Sequence, residues 1–456
     1  MNMSTGTPAA NPVPAKLTGH VVKSTVAAAL GGLLFGFDTA VIAGTTSALT
    51  QTYGLSAALL GVTVASALWG TILGAIFAGI PGDRYGRRDS LRGLAVFYFI
   101  SALGCATAWN WGAFVAFRFI GGLAIGGSSV LGPMYIAEIA PARWRGRLVG
   151  LFQFNVVGGI LLAYFSNYLI GLAGLGGGEW RAKLGIAAVP ALFFFLMLFT
   201  IPRSPRWLVK VGRLKEAEEV LRATEPATCQ QELQDIAASI DTDRSGPVQR
   251  LFTWKYRLPM FLAVTIGLFN QLSGINAILY YLNDIFAAAG FNKVSSDLQA
   301  VIIGLTNLVF TMVGMAVIDK LGRRALLLTG SLGTAACLAG VAWVFLSGRH
   351  HGWLVWFLVA YIAFFALSQG AVIWVYISEI FPNSLRAKGQ SLGSFSHWFA
   401  NAVISGVFPL MAARSGGYPF VFFAFMMVVQ FVTVLLLYPE TKGVSLEDLA
   451  RKLKAA

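Results

Sequence analysis

The sequence predicts an all-α membrane protein with twelve transmembrane helices arranged as two similar six-helix halves. Three observations predict it: the composition, a series of twelve apolar segments, and an internal repeat. Of the 456 residues, 56% are hydrophobic and only 12% are charged, and the mean hydropathy is +0.69. A soluble domain usually carries about 25% charged residues. Most of the outer surface of this chain must therefore face lipid.

Twelve apolar segments follow one another along the chain, and each is long enough to cross a hydrocarbon core of about 30 Å. We number them helix 1 to helix 12 in chain order. The first six lie at 23–48, 58–82, 90–109, 112–138, 148–172 and 184–201. The second six lie at 258–288, 298–318, 325–347, 353–381, 387–413 and 418–438.

A polar interval divides these segments into six and six. The predicted organisation is an N-terminal tail, a first half, a linker, a second half and a C-terminal tail, at 1–22, 23–202, 203–257, 258–438 and 439–456. Within the linker, helical spacing at 213–223 and 231–240 predicts short amphipathic helices. The alternative is a disordered linker.

Three sequence motifs of the first half recur in the second half. The pairs are GDRYGRRDSL at 82–91 with IDKLGRRALL at 318–327, AEIAPARWRG at 137–146 with SEIFPNSLRA at 378–387, and PRSPRWL at 202–208 with PETKG at 439–443. All three pairs have nearly the same offset. They indicate a duplicated six-helix half, the arrangement in which a substrate site lies between the halves near the bilayer midplane.

The formal net charge of +14 results from basic residues that cluster in alternate loops. Arginines are frequent at 84–92 and 143–147, whereas the loops at 49–57 and 109–112 contain no Lys or Arg. This positive-inside pattern predicts that both termini and the linker lie in the cytoplasm. The basic residues therefore indicate topology rather than a nucleic-acid partner.

Further external loops are predicted at 173–183 and 291–297, with Arg181, Lys183 and Lys293 as their basic residues. The loops are short, and the first external loop has no glycosylation sequon. Both features favour a bacterial inner (plasma) membrane.

Cys105, Cys229 and Cys337 are scattered along the chain, which predicts neither a disulfide framework nor a metal site. The sequence contains no phosphate-binding GxxxxGK[ST] loop and no HExxH zinc motif. We therefore expect no enzyme, no nucleotide-driven activity and no cofactor.

Two charged residues are placed to reach the middle of the membrane: Asp38 in helix 1 and Arg118 early in helix 4. A charge at membrane depth is unfavourable by several kcal/mol, which makes both residues functional candidates. At a separation of about 4 Å and an effective dielectric constant of ~20, their attraction is about 4 kcal/mol. Such a pair keeps Asp38 ionised until a proton neutralises it and frees Arg118. The alternative is a fixed ion pair that only holds helices 1 and 4 together.

Amide and aromatic side chains recur inside the apolar segments. A ligand with hydroxyl groups in many directions needs amides that donate and accept, together with an aromatic surface for its C–H faces. A break of helix 7 at Gly274 would let Gln271 and Asn276 face one cavity. The alternative role of each amide is a hydrogen bond between neighbouring helices. The candidates are Gln153, Asn270, Gln271, Asn276, Tyr280, Asn307, Trp374, His397, Trp398 and Asn401.

The repeated motifs place acidic and basic side chains at predicted cytoplasmic helix ends. We expect these charges to form a network across the two halves that closes the cytoplasmic side and breaks when that side opens. The alternative is that the arginines only anchor the topology. The candidates are Asp83, Arg84, Arg87, Arg88, Glu138, Arg145, Asp319, Arg323, Arg324, Glu379, Arg386 and Glu440.

Taken together, the motifs resemble those of the sugar porter family of the major facilitator superfamily. They occur in family order over about residues 25–447 and read GDRYGRR, PMYIAEIAPARWRG, PRSPRWL, QLSGINAILYY, DKLGRR, SEIFP and PETKG. The resemblance implies the fold of that superfamily and import of a monosaccharide with a proton by alternating access. It implies that Asp38 accepts the proton, with Arg118 as its partner. The sugar contacts that it implies are Gln153, Gln271, Asn276, Asn307, Trp374 and Asn401.

Four residues depart from the family pattern. Asn270 stands where a glutamine is usual, and His397 stands where an amide is common. Ala371 replaces a proline, and Arg203 stands where an acid is common. The sugar therefore stays open among glucose, galactose, xylose, fructose and a polyol.

Two alternative functions also stay open. One is a passive sugar uniporter that uses the same site, and the other is a membrane sugar sensor that does not transport. The expected partners are the sugar, the proton and membrane lipid, without nucleic acid or nucleotide. We expect the protein to be a monomer.

Overall fold

The computed structural model describes residues 17–226, 228–245, 251–382 and 385–444. All regular elements in these ranges are helices, which confirms the predicted fold class. The tails predicted at 1–22 and 439–456 fall largely outside the described residues.

The first half contains helices 1 to 6. Helices 1 to 5 are Gly19–Val41, Ala57–Phe77, Arg87–Thr107, Trp111–Ile139 and Arg145–Leu172, and helix 6 has the two parts Glu179–Gly185 and Ala188–Met197. A short helix, Thr46–Tyr53, joins helices 1 and 2, and another, Gly79–Tyr85, joins helices 2 and 3.

The second half contains helices 7 to 12. Helix 7 has the three parts Arg257–Leu272, Ile275–Tyr280 and Leu282–Ala288. Helices 8 and 9 are Lys293–Leu321 and Arg323–Ser347, and helix 10 has the two parts Trp353–Leu367 and Gln369–Glu379. Helices 11 and 12 are Arg386–Arg414 and Tyr418–Leu437.

Within the described ranges, eleven helical spans are long and apolar enough to cross a membrane. Helix 11 is as long as helix 4 or helix 8 but is more polar, since it carries His397, Asn401 and several serines. A helix that lines a polar site need not be apolar on every face. Its polarity therefore indicates that helix 11 contributes to a site.

Helices 6 and 8 each begin five residues earlier than the sequence predicted. Helix 6 begins at Glu179 and helix 8 begins at Lys293, so the external loops predicted at 173–183 and 291–297 are partly helical. The charged side chains in these first turns bind one another within the protein and do not require a solvated loop.

The described part of the linker is helical, as predicted, but contains three α-helices instead of two. They are Pro205–Lys210, Leu214–Thr224 and Cys229–Ser245. Ser204 caps the first of them, and Pro205 occupies its first position, where the missing N–H group has no partner to lose.

The two ends of the bundle differ in charge. We call the end that holds the GDRYGRR and DKLGRR motifs and the linker the basic end. The opposite end, where Thr46–Tyr53 joins helices 1 and 2, is the far end.

The two halves repeat the same contacts at the basic end. Arg87 binds Glu138 in the first half at 3.0 Å, and Arg323 binds Glu379 in the second half at 2.8 Å. In both halves a tyrosine hydroxyl donates to a proline carbonyl oxygen, from Tyr135 to Pro202 and from Tyr376 to Pro439. Equivalent partners at equivalent positions confirm the duplication.

Helices 2 and 4 are in close contact because glycines lie on both of them. A Cβ atom added at Gly122 would lie 1.9 Å from the carbonyl oxygen of Ala67, and one added at Gly70 would lie 2.2 Å from that of Phe119. Small residues let membrane helices approach each other closely. This crossing fixes the position of helix 4, which carries Arg118.

Gly122→Ala is expected to lower the thermal unfolding midpoint, with a loss of about 1–3 kcal/mol, because a methyl group cannot fit without moving helix 2 or helix 4. Gly93→Ala in helix 3 is the matched control, since an added Cβ there meets nothing within 4 Å. Differential scanning fluorimetry in detergent measures both variants. Equal midpoints for the two would contradict the close contact.

Candidate functional site

Arg118 binds Asp38 inside the first half. Its Nη1 atom lies 3.0 Å from each carboxylate oxygen of Asp38 and 3.5 Å from the Asp38 carbonyl oxygen. The two side chains are only 4% and 12% exposed. Within the described residues, the buried Nε atom of Arg118 has no hydrogen-bond partner. The predicted pairing is formed, and its role in proton coupling stays a prediction.

A cavity of about 10 Å³ adjoins this ion pair. Tyr280 of helix 7 lines it together with Asp38 and Arg118. A volume of this size is about the smallest that holds one water molecule. The ion pair of the first half and helix 7 of the second half therefore meet at one small polar space.

Helix 7 is broken at Ser273 and Gly274, as the sequence predicted. Gly274 has a φ angle of +83°, a left-handed conformation that glycine adopts without strain. A Cβ atom at this position would also lie 2.3 Å from the ring of Phe423. The break therefore depends on glycine for both its backbone angle and its packing.

Tyrosine hydroxyls bind backbone carbonyl groups on both sides of the break. Tyr361 donates to the Ser273 carbonyl oxygen at 2.9 Å, and Tyr164 of helix 5 donates to that of Leu279 at 2.8 Å. A polar backbone group without a partner is unfavourable by several kcal/mol inside a membrane. These hydroxyls stabilise the broken helix at membrane depth.

The break brings four of the predicted polar side chains into one chain of contacts. Asn276 donates to Gln271 Oε1 at 3.0 Å, and Gln271 Nε2 donates to Asn270 Oδ1 at 3.0 Å. The same Nε2 atom lies 3.2 Å from Nδ1 of His397 in helix 11. Amides of helix 7 and an imidazole of helix 11 thus form a buried surface that can donate and accept hydrogen bonds.

Aromatic rings border this surface. The rings of Trp374 and Trp398 each have their centroids 5.1 Å from that of His397. Phe35 of helix 1 lies 5.5 Å from the Trp398 ring, so both halves contribute. The combination of amides with aromatic faces suits a polar ligand with apolar C–H surfaces.

Tyr280 connects the ion pair to the same region. Its hydroxyl accepts a hydrogen bond from Asn401 at 3.2 Å, and Ser405 donates to Asn401 at 3.0 Å. Asn401 lies one turn beyond His397 on helix 11. The two candidate sites are therefore neighbours.

The structure leaves two predicted residues apart from these contacts. Gln153 is half-buried on helix 5, and Asn307 is buried on helix 8. Asn307 accepts from Thr311 at 3.5 Å, at the limit for a hydrogen bond. No hydrogen bond described here joins either residue to the other candidates.

Two residues at this site, Gln369 and Phe35, are not among the candidates predicted from the sequence. The Gln369 carbonyl oxygen accepts from Asn270 at 3.4 Å, and its buried Oε1 atom has no partner within the described chain. Gln369 directly follows a break of helix 10 at Ser368, and an amide beside a break would have been a usable signal. Phe35 offers no such signal because the chain has 34 phenylalanines.

At the basic end of the first half, Arg87 is the centre of the charge cluster. It lies 3.1 Å from Asp83 and 3.0 Å from Glu138. Ser204 donates to Glu138, and Lys210 of the linker lies 3.0 Å from Asp83. The cluster therefore fastens the linker to the first half.

In the second half, Arg323 lies 2.8 Å from Glu379 and 2.9 Å from Asp319. Glu440 accepts from the backbone N–H groups of Arg323 and Arg324 at 2.9 and 3.0 Å. Burial favours a higher pKa for Glu440, but four backbone N–H donors outweigh it and hold this pKa below its ordinary value. Glu440 thus stays ionised as the cap of helix 9.

Among the ion pairs described for residues 17–226, 228–245, 251–382 and 385–444, none at the basic end forms the expected network across the two halves. The ion pairs described at the basic end lie within one half or join the first half to the linker, and none of them includes Arg84, Arg145 or Arg386. The physical reason is that Arg87 and Arg323 already bind the carboxylates of their own half.

Arg203, which departs from the family pattern, finds its partner within the first half. Its Nη2 atom lies 2.9 Å from Asp89, which also binds Arg88 at 3.0 Å. The basic residue at the start of the linker is thus balanced by an acid of the GDRYGRRDSL motif.

A cavity of about 350 Å³ lies between the halves at the far end. Its walls are mainly apolar, with Asp284 and Thr50 among the lining residues, and none of the ten predicted ligand contacts lines it. A sugar needs several hydrogen-bond partners. The amides of helix 7 therefore remain the better candidate site.

Comparison with known proteins gives consistent matches over nearly the whole chain. Residues 24–453 match the family model described as "Sugar (and other) transporter". A D-xylose-proton symporter of Escherichia coli is 37% identical, over 94% of this chain and 95% of that protein. An arabinose-proton symporter of Bacillus subtilis is 35% identical, over 95% of both chains.

Solved structures agree with these matches. The inward open conformation of the xylose transporter from E. coli matches with a TM-score of 0.85 at 36% identity, covering 95% of this chain and 99% of that one. The proton:xylose symporter bound to 6-bromo-6-deoxy-D-glucose matches with a TM-score of 0.76 at 35% identity and the same coverage. The TM-score is therefore higher for the inward open structure than for the sugar-bound one.

Arg118→Met is expected to destabilise the protein by about 3–5 kcal/mol, because it leaves the buried carboxylate of Asp38 without its partner. The double variant Asp38→Asn/Arg118→Met is expected to recover part of this loss. Arg222→Met removes an exposed pair with Glu218 and should change stability by less than about 1 kcal/mol. Thermal unfolding in detergent compares these three variants with wild type, and a double variant no more stable than Arg118→Met would contradict the pairing.

Proposed function

The chain belongs to the sugar transporter family, and from that premise we propose that it imports a monosaccharide together with a proton by alternating access. Asp38 is the proton acceptor and Arg118 its counter-charge. The amides of helix 7 with His397 and the adjoining aromatic rings form the sugar site.

The position of the ion pair beside helix 7 is the observation that carries this proposal. Asp38 is buried and bound by Arg118 alone of the cationic groups described, and both line a cavity with Tyr280. A carboxylate at membrane depth that lies beside the broken helix of a substrate site is suited to proton coupling. A passive carrier has no need of that charge.

A proton on Asp38 removes the charge that Arg118 neutralises and so weakens their interaction. Because Tyr280 lines the same cavity, the change reaches helix 7 directly. A sugar acts on the same helix through Gln271 and Asn276. Proton and sugar thereby favour the same rearrangement of a broken helix, which couples their movements.

In the described arrangement the amides of the site bind one another. A sugar hydroxyl that both donates and accepts can replace each of these hydrogen bonds, so binding leaves few polar groups without partners. Trp374 offers an aromatic face for the C–H groups. The presence of His397 instead of an amide favours a sugar whose hydroxyl pattern needs one donor and one acceptor there.

The basic end is proposed to face the cytoplasm and the far end to face the outside of a bacterial plasma membrane. The alternation of basic loops supports this orientation. Both candidate sites are built from one chain, which supports a monomer as the active unit.

One proton for each sugar is energetically sufficient. Moving one charge through ~150 mV releases about 3.5 kcal/mol, from roughly 2.3 kcal/mol for each 100 mV. At about 1.4 kcal/mol for each factor of ten, this supports accumulation of a few hundredfold.

Wild type and Asp38→Asn in liposomes test the proposal when external pH is followed as a panel of sugars is added. One sugar should make the medium more alkaline with wild type, while the signal with Asp38→Asn should fall to that of empty liposomes. Counterflow of labelled sugar should survive in the variant, because exchange needs the sugar site but no net proton movement.

Other outcomes distinguish the alternatives. Equilibration of labelled sugar without a pH change in either protein would make this a passive uniporter. Sugar binding without counterflow would make it a sensor.

The sugar site is tested by Asn276→Ala, which is expected to weaken binding about fivefold, since one lost hydrogen bond is worth about 1 kcal/mol and 1.4 kcal/mol is a factor of ten. Asn155→Ala is the matched control, because the Asn155 amide lies exposed on helix 5 and donates only to its own helix. Calorimetry with the sugar found above measures both. Equal affinities would place the site elsewhere.

A further inference from the structure

Four charged side chains meet at the far end, at the first turns of helices 6 and 8. Lys183 Nζ lies 2.8 Å from Glu179 Oε1 and 3.1 Å from Asp297 Oδ2. Lys293 lies 2.6 Å from the other carboxylate oxygen of Glu179. The cluster contains two acids and two bases, so its formal charges balance.

Lys183 is the centre of this cluster and is fully buried, and the Asp297 side chain is 1% exposed. The ammonium group of Lys183 also donates to the Gly44 carbonyl oxygen at 3.3 Å. Asn283 of helix 7 donates to the second oxygen of Asp297. Lysine is almost never fully buried unless it is paired, so the position of Lys183 depends on these partners.

The cluster joins the two halves. Glu179, Lys183 and Gly44 belong to the first half, whereas Lys293 and Asp297 belong to the second. The pairs Lys183–Asp297 and Lys293–Glu179 both cross the boundary. Opening the far end must separate them, whereas the ion pairs described at the basic end can stay intact when that end opens.

Helix 5 is shaped to admit the cluster. A Cβ atom added at Gly171 would lie 2.8 Å from Asp297 Oδ2 and 3.7 Å from Glu179 Oε1. A side chain here would push the carboxylate of the second half away from the first. The absence of a side chain at Gly171 lets the halves close onto each other.

We propose that Lys183 and Asp297 form a latch that closes the far end and sets the balance between the two access states of the carrier. The proposal rests on the proposed function for the meaning of the two states. Lys183 and Asp297 are positioning residues: they touch neither sugar nor transported proton, and they determine which side of the site is open. Lys293 and Glu179 form a second, more exposed pair of the same latch.

Distances between spin labels at the far end measure the latch directly. Thr52→Cys in the first half and Ala413→Cys in the second are both exposed there, and the three native cysteines are buried. Double electron–electron resonance on this labelled pair measures the distance between the two halves. The chain without the two added cysteines serves as the control for labelling of the native cysteines. Measurements are made without sugar, so they do not depend on which sugar is carried or on proton coupling.

Lys183→Gln/Asp297→Asn is expected to raise the population with the long far-end distance about tenfold or more. The ion pair across the halves is lost and neither residue is left as an unpaired charge, while polar side chains, unlike an apolar pair, do not favour burial in the closed state. Lys293→Gln should shift the same population in the same direction but by less, since its side chain is 61% exposed. Arg222→Met removes an ion pair within the linker and is the matched control without effect on the distance.

A kinetic measurement separates a latch from a purely structural cluster. The latch variants should lower the apparent KM for external sugar, because a larger fraction of the carriers has the far end open. The sugar affinity measured by calorimetry in detergent should change less. Gly171→Ala should act in the same direction as Lys293→Gln without removing any charge.

Unchanged distances and unchanged external KM in the double variant and in Lys293→Gln would overturn the latch. Should the double variant fail to fold, Lys293→Gln and Gly171→Ala decide the question on their own. If the wild-type protein showed no sugar-driven proton uptake, symport would be refuted, but the distance measurements would still stand. Failure of the latch and failure of the proposed function are thus separate outcomes.

Discussion

Inside a membrane every charge and every free backbone group must find its partner within the protein, and this constraint determines where the chain departs from plain apolar helices. Asp38 is tolerated in helix 1 because Arg118 of helix 4 binds both of its oxygens. The break at Gly274 is tolerated because Tyr361 and Tyr164 bind nearby carbonyl groups. Each irregularity is therefore stabilised by a residue of another helix.

The same constraint links the functional groups to one another. Helix 7 breaks where its amides must face inward, and its middle part carries Tyr280 to the cavity beside Asp38 and Arg118. In the proposed mechanism, a change of charge on Asp38 acts on a helix that already lacks continuous backbone bonding. Such a helix can rearrange with less loss of hydrogen bonding than an intact one, which suits it to connect two binding events.

The two ends of the carrier use ion pairs differently. At the basic end, each half closes its own cluster around Arg87 or Arg323. At the far end, Lys183 of the first half binds Asp297 of the second. The ion pairs described here join the two halves at the far end only. This agrees with a higher TM-score to the inward open structure than to the sugar-bound one. In the proposed mechanism, alternation between the two access states exchanges this closure for another at the basic end.

The sequence by itself determined the helix count, the duplication, the pairing of Asp38 with Arg118 and the break at Gly274, because hydropathy, repeated motifs, buried charge and glycine are local signals. Only the tertiary structure decided the rest. It places Asn276, Gln271 and His397 in contact and adds Phe35 and Gln369 to the site, whereas Gln153 and Asn307 lie apart from it. It also shows that two predicted loops contribute to the buried charge cluster of Lys183 and Asp297. From the sequence alone, a lysine in a predicted loop is expected to be exposed. Lys183 can be buried only because a second helix brings an acid to it in the folded protein.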